Sequence, residues 1–142
     1  MNILFLCVGN SARSQIAEGL AIEMLPPTFD IRSAGSKPEK NVHKDAISAM
    51  IDVGIDIANK KPKSIDSIDK EFMSNLDYVI TLCAEEVCPV VPITSKVFHW
   101  PNEDPDNVAL NDIQSKNAFI KTRENIFNLL KKFLITEDIK NL

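Results

Sequence analysis

The residues of this 142-residue chain best suited to chemistry are Cys7-Val8-Gly9-Asn10-Ser11-Ala12-Arg13-Ser14. A cysteine and an arginine bracket five residues, a loop long enough to turn its N–H groups onto one tetrahedral oxyanion. Val8, Gly9, Asn10, Ser11, Ala12, Arg13 and Ser14 are therefore read as the oxyanion-binding residues. Gly9 and Asn10 are the two most tolerant of the positive φ that such a wrap requires. The start of a following helix adds positive potential. Arg13 supplies a planar fork for two oxygens. The same field favours the thiolate of Cys7, which makes it a nucleophile, and the Ser14 hydroxyl can donate to that sulfur. The plainer reading is a structural cysteine at a strand end with Arg13 as a surface charge. The Gly-Asn pair inside the loop, a strand before it and a helix after it favour the anion site.

Two further cysteines and an acid complete the chemical inventory. Cys83 directly follows an apolar strand pattern, and Cys88 lies five positions on. In a helix those two residues would stand about 7.5 Å apart along the axis and about 140° apart around it. A disulfide wants Cα atoms roughly 4.4–6.8 Å apart, so the pair can join only if the segment unwinds. The chemical reading is a thiol relay: Cys7 attacks, Cys83 resolves, and Cys88 moves the disulfide outward. Taken singly, each would be a small apolar filler. No Cys-x2-Cys pair occurs, and His43 and His99 lie outside tight ligand spacing, so no metal site is assigned. Asp104-Pro105 sits in the long polar loop 101–112. A thiolate that attacks an oxyanion centre must expel an oxygen, which needs a proton, and Asp104 is a suitable donor. Glu103, Asp106 and Asp112 compete for that role, and a solvated acidic loop is the plainer alternative.

These residues need a frame to bring them together. Residues 3–8 are a short apolar run, as in a strand buried on both faces. A helix over residues 14–25 follows, stopped by Pro26-Pro27. Residues 29–33 suit a second strand. Residues 42–53 have helical spacing with Gly54 at the C-terminal position, and 55–65 read as a loop. A short helix is expected over 68–75, strands over 77–82 and 96–99, and a last helix over 112–135 with Phe119, Arg123, Ile126, Leu130 and Phe133 or Leu134 on one stripe. Strands alternating with helices imply a parallel, doubly wound sheet. In such a sheet ligands sit at the carboxyl ends of the strands, so the loops after Leu6, Ser33, Leu82 and His99 should converge.

Composition sets the outer bounds. Hydrophobic residues make up 44% and charged residues 25%, with a net charge of −4, the ordinary mix of one globular domain spanning residues 1–142. An acidic balance argues against a nucleic-acid partner. No apolar run reaches the length of a membrane helix. Three cysteines make a poor disulfide framework, so a cytoplasmic setting is expected.

Together these motifs resemble the low-molecular-weight tyrosine phosphatase superfamily, and within it the thioredoxin-coupled arsenate reductases. The resemblance spans about residues 1–135. It rests on Cys7 through Glu18, Ser33-Ala34-Gly35, Val79 through Cys83, Cys88-Pro89, His99-Trp100 and Asp104-Pro105. It implies a four-stranded parallel sheet with helices on both faces, a flavodoxin-like three-layer sandwich. It also implies a cycle: Cys7 attacks arsenate, Asp104 protonates the departing oxygen, and Cys83 displaces arsenite from Cys7. Cys88 then takes over the disulfide, for reduction by thioredoxin or a glutaredoxin/glutathione system. Phosphate would be a competing anion, no tightly bound cofactor is needed, and a monomer is expected. Four residues separate Cys83 from Cys88, where the best-known reductases have six. Ala12 replaces a further cysteine often found in the loop. Some relatives bind potassium; Asn10, Glu18 and Ser33 match that site, but Lys63 or Asp66 stands where an acid is expected. Two other functions remain open. A plain tyrosine phosphatase would use Cys7, Arg13 and Asp104, although Gln15 and Asp106-Asn107 depart from its usual proline and aromatic residues. A non-enzymatic oxyanion or arsenite binder would use the three thiols without turnover.

Overall fold

The computed structural model describes residues 1–84 and 96–140. Its elements are β1 (Asn2–Cys7), α1 (Arg13–Met24), β2 (Asp30–Gly35), α2 (Lys44–Ile51), a 3-10 turn (Ile65–Ser67), α3 (Lys70–Ser74), β3 (Leu76–Thr81), β4 (Lys96–His99) and α4 (Asp112–Thr136). The sheet order is β2-β1-β3-β4, and every pairing is parallel. This is the expected four-stranded frame. Alternate residues of a strand face opposite sides. Ile3 and Phe5 of β1 join Tyr78 and Ile80 of β3 in the larger core, under α1, α2 and α4. Leu4 and Leu6 join Val79, Ile68 and Phe72 in the smaller core, under α3 and the 3-10 turn. Residues 3–6 are wholly buried, which explains their uninterrupted apolar run.

Several element ends differ from the sequence expectation, each for a local reason. Helix α2 starts at Lys44 rather than Val42, because His43 is its N-cap in extended backbone and its side chain accepts from the Asp45 N–H. The helix stops at Ile51, and Gly54, at φ 79°, closes the following turn. Strand β2 continues to Gly35 because Ala34 and Gly35 still pair with Leu6 and Cys7. A Cβ at Gly35 would lie 2.3 Å from the Val8 carbonyl oxygen, so only glycine permits that approach. The 3-10 turn lies at the edge of a stretch read as loop. The long helix α4 opens on a full capping box between Asn111 and Gln114, which satisfies donors that a helix start otherwise leaves open.

Helix α1 is unusual: residues 13–21 are all buried, including Arg13, Ser14, Gln15 and Glu18. A helix with no wet face in this stretch must satisfy its polar side chains internally. Those four residues point at one place, the end of β1.

Candidate active site

The carboxyl ends of the strands converge as expected. Leu82 N–H donates to the Leu6 carbonyl, Trp100 N–H to Thr81 and Asn102 N–H to Leu82. These bonds carry the sheet past its formal ends and set Cys7, Cys83 and the 101–106 loop on one edge. Cys7 through Arg13, with Glu39, Asp104 and Asp106, line a pocket of about 120 Å³.

The loop between β1 and α1 is fastened from outside by main-chain bonds. Its carbonyls at Val8, Gly9 and Ser11 accept from the N–H groups of Lys37, Glu39 and His43, at 3.0, 2.8 and 2.9 Å. In a planar trans peptide the N–H of the next residue points the opposite way. Segment 37–43 therefore turns the N–H groups of Gly9, Asn10 and Ala12 inward. The anion site is preorganised by a strap that uses no side chain to do it.

The interior of the loop is organised by Asn10. It is fully buried and sits at φ 50°, the left-handed region that asparagine tolerates. Gly9, expected to share that conformation, does not have it; its value is space, since a Cβ there would meet the Glu39 side chain at 3.0 Å. Asn10 N–H reaches Cys7 Sγ at 3.2 Å. Its side-chain amide donates to Ser14 Oγ at 2.7 Å and Ser33 Oγ at 3.0 Å. Its Oδ1 accepts from Lys63 N–H and from Gln15 Nε2.

Counting hydrogens then orients the hydroxyls. Both Asn10 amide hydrogens go to these hydroxyls; Ser14 Oγ lies 2.8 Å from Cys7 Sγ, where its proton is available to a thiolate, and Ser33 uses its proton on Glu18 Oε1 at 3.3 Å. One amide feeds two hydroxyls, each of which ends on an anion-forming group. One hydroxyl and one main-chain N–H thus lie within hydrogen-bond reach of the Cys7 sulfur. The neighbouring Gln15 donates to Asn10 and to the Lys61 carbonyl, and its Oε1 is left without a partner.

Glu18 lies beneath the loop, and its charge is balanced from the other side. Lys60 Nζ and Lys63 Nζ each stand 3.8 Å from one of its oxygens. Burial pushes the Lys63 ammonium below its ordinary value of 10.5, against the pull of Glu18. Two ammonium groups hold the carboxylate that a potassium ion would need, so these residues do not fit a resident potassium. Among the described residues no group of three His, Cys, Asp or Glu side chains is placed to hold a metal ion. His43 caps α2, and His99 pairs with the Thr81 hydroxyl at 2.6 Å.

Arg13 is buried, and its guanidinium donates to the Asn102 carbonyl at 2.9 Å, which aims the fork across the loop. Asp104 Oδ2 lies 3.7 Å from Arg13, at pairing distance, on a side chain about half exposed. The structure thus brings Cys7, the loop residues 8–14 and Asp104 together. Cys83 is fully buried beside them. Cys7 is a free thiol, whereas Cys83 is disulfide-bonded. Cys88, which the relay would assign as its partner, and the helix suggested between them lie outside the described residues. The strap 37–43, Glu39 at the pocket wall, Asn102 behind Arg13 and Lys60 on Glu18 were not foreseen from the sequence, whereas Lys63 stands at the position the resemblance set beside Glu18. Main-chain partners carry no residue signature, and Lys60 was visible only as a loop charge.

A model of the low molecular weight phosphotyrosine protein phosphatase family matches residues 2–141, and the chain belongs to that family. It is 39% identical over 136 residues to the arsenate reductase of Bacillus subtilis (strain 168), covering 94% of this chain and 95% of that protein. It is 38% identical over 136 residues to the arsenate reductase of Halalkalibacterium halodurans, with the same two coverages. Among solved structures it is similar to an arsenate reductase in the phosphate binding state, with a TM-score of 0.78, 30% identity, and 95% of this chain and 97% of that one covered. It is also similar to the thioredoxin-dependent arsenate reductase of Corynebacterium glutamicum, with a TM-score of 0.68, 27% identity, and 95% and 62% covered.

Proposed function

We propose that the protein is an arsenate reductase that runs on thiol chemistry. The observation that carries this reading is Cys7, held by the Ser14 hydroxyl and the Asn10 N–H at the base of an anion pocket, with a second buried cysteine on the same sheet edge. Relatives close to 40% identical over nearly the whole chain are arsenate reductases, which favours arsenate over other tetrahedral anions.

The reaction is proposed as follows. The Cys7 thiolate attacks arsenic(V), and Asp104 gives the departing oxygen its proton, so that water leaves. Cys83 then attacks Cys7 sulfur. The Cys7–arsenic bond breaks with its electron pair going to arsenic, arsenite departs, and a Cys7–Cys83 disulfide remains. Cys88 attacks Cys83 and frees Cys7. Thioredoxin, or a glutaredoxin/glutathione system, reduces the last disulfide. That Cys7 is a free thiol while Cys83 is disulfide-bonded supports this order of attack. No cofactor enters, since thiols supply both electrons.

Ester hydrolysis by the same Cys7, Arg13 and Asp104 is the second reading, favoured by the family to which the chain belongs. Against a phosphotyrosine substrate stands the aromatic inventory: the one tyrosine and the one tryptophan are both buried in the core, so neither can cover a ring at the pocket mouth.

The test is arsenate-dependent NADPH oxidation with thioredoxin and thioredoxin reductase, beside hydrolysis of para-nitrophenyl phosphate. Repeated turnover of arsenate supports the reductase, and glutaredoxin with glutathione is the second reductant to try. Brisk ester hydrolysis without arsenate turnover under either reductant overturns it. Cys7→Ser should lose both activities. Cys83→Ser should keep slow ester hydrolysis and lose catalytic reduction; many arsenate turnovers by that variant would refute the relay.

A further inference from the structure

The pocket mouth carries a chain of contacts that the proposed chemistry leaves unexplained, and it begins at His43. The His43 main chain donates to the Ser11 carbonyl, and its ring stacks on Phe119 with centroids 4.5 Å apart. Its Nδ1 accepts from the Asp45 N–H at 3.0 Å. With Nδ1 used as an acceptor, the neutral ring carries its proton on Nε2. That nitrogen lies 3.5 Å from Asp106 Oδ1. In turn, the Asp106 N–H donates to Asp104 Oδ1 at 3.0 Å. One oxygen of Asp104 is thereby engaged, and the other is left on the Arg13 side.

We propose that His43 is a positioning residue for the proton donor: it anchors Asp106, and the Asp106 N–H decides which Asp104 oxygen faces the anion. This rests on the reading of Asp104 as that donor. The physical case is one of contrast. The Asp104 and Asp106 side chains are 48% and 47% exposed, and side chains so open to water hold their geometry poorly. His43 is fixed by main chain, cap and ring contact, so it lends a half-exposed loop a rigid attachment point. The attachment also ties the acid to the anion loop, since His43 is bonded to Ser11 itself. A proton donor gains from such placement because transfer demands a short, aligned contact.

Two substitutions separate this role from capping. His43→Asn keeps an acceptor near the Nδ1 position for the Asp45 N–H, but is too short to reach Asp106. His43→Gln carries an amide donor out to the Nε2 position. Rates would be measured on aryl phosphates running from phenyl to dinitrophenyl phosphate, and on arsenate as thiol loss in a single turnover of the reduced protein, with Asp104→Asn as reference. A good leaving group needs no proton, whereas a poor one does. His43→Asn should be about tenfold slower on phenyl phosphate and arsenate, and within about twofold of the parent on dinitrophenyl phosphate. Its KM should stay near that of the parent, its melting temperature should fall with the loss of the Phe119 stack without altering the leaving-group pattern, and His43→Gln should recover most of the rate loss. Equal slowing on every substrate, or no slowing on arsenate and phenyl phosphate, would overturn the proposal. A steep leaving-group dependence in Asp104→Asn with a flat one in His43→Asn removes the positioning role alone. A flat one in Asp104→Asn removes the donor reading, and the role with it.

Discussion

At the scale of the residue, the site is a matter of where each proton goes. Asn10 spends both amide hydrogens on hydroxyls, which leaves the Ser14 proton available to Cys7, 2.8 Å away. A hydrogen bond to an ionised group contributes about 1.5–3 kcal/mol. Ser14→Ala should therefore slow the first chemical step by roughly ten- to a hundredfold, as read from the alkylation rate of Cys7 and from ester hydrolysis, while Ser33→Ala should leave Cys7 alkylation much closer to the parent. A second prediction concerns Lys63. Burial lowers its pKa below 10.5, so the folded protein releases this proton at a lower pH than the unfolded chain does. The cost of holding the buried charge applies below the folded value and is relieved as pH rises toward 10.5, so this residue's contribution grows more favourable over that window. Carbon-13 NMR of labelled lysine should show Lys63 titrating with a midpoint below 10.5; a midpoint at or above it would contradict the described burial.

At the scale of the element, what matters is how closely backbones approach. Gly35 ends β2 against the anion loop, with its absent Cβ 2.3 Å from Val8 oxygen. Gly19 in α1 faces side chains instead, the flexible tip of Met50 at 2.8 Å, Ile57 at 3.2 Å and Ile55 at 3.5 Å. Gly35→Ala should cost about 1–3 kcal/mol in chemical denaturation and weaken phosphate binding, because the displaced atom belongs to the loop. Gly19→Ala should be close to neutral, since the helix preference for alanine of about 1 kcal/mol offsets a small shift of Met50. Comparable losses in both would refute the contrast. The same distinction explains what was legible in the sequence. Strand β1, helix α4 and the cysteine–arginine loop carry side-chain signatures: an apolar run, a stripe with Phe119 and Leu130, a Gly-Asn pair. The end of β2 was read two residues short because Ala34-Gly35 resembles a turn until its partner strand is known. The start of α2 was read too early because Val42 continues the apolar spacing while His43 is the residue that caps. Helix α1 was read by its spacing of Ile16, Leu20 and Met24, yet its buried Arg13, Ser14, Gln15 and Glu18 were the stronger signal of a site.

At the scale of the whole molecule, the edge strand β4 depends on the end of α4. Glu137 Oε1 accepts from Lys96 Nζ at 2.9 Å and from the Tyr78 hydroxyl at 3.1 Å, so the end of the last helix is clasped to β4 and to its neighbour β3. The Lys96 hydrogen bond is the main cause that holds the Glu137 carboxyl below its ordinary 4.5, with Tyr78 assisting. Its contribution is thus complete above 4.5 and is lost as pH falls through the lower, folded value. Glu137→Gln should melt slightly below the parent at neutral pH, and the difference should close in acid. A gap that widened as the pH dropped would count against the clasp.

The strap over residues 37–43 has one more consequence, and it concerns proline. Lys37, Glu39 and His43 each give an N–H to the anion loop, and proline has none to give. Pro38 already sits between two of them, at a position whose missing N–H the strap never uses. The strap's hold on the loop is thus indifferent to its side chains and yet closed to one residue at three positions. A proline at 39 would release the Gly9 carbonyl, free the peptide that turns the Asn10 N–H inward, and blunt the anion site through the main chain.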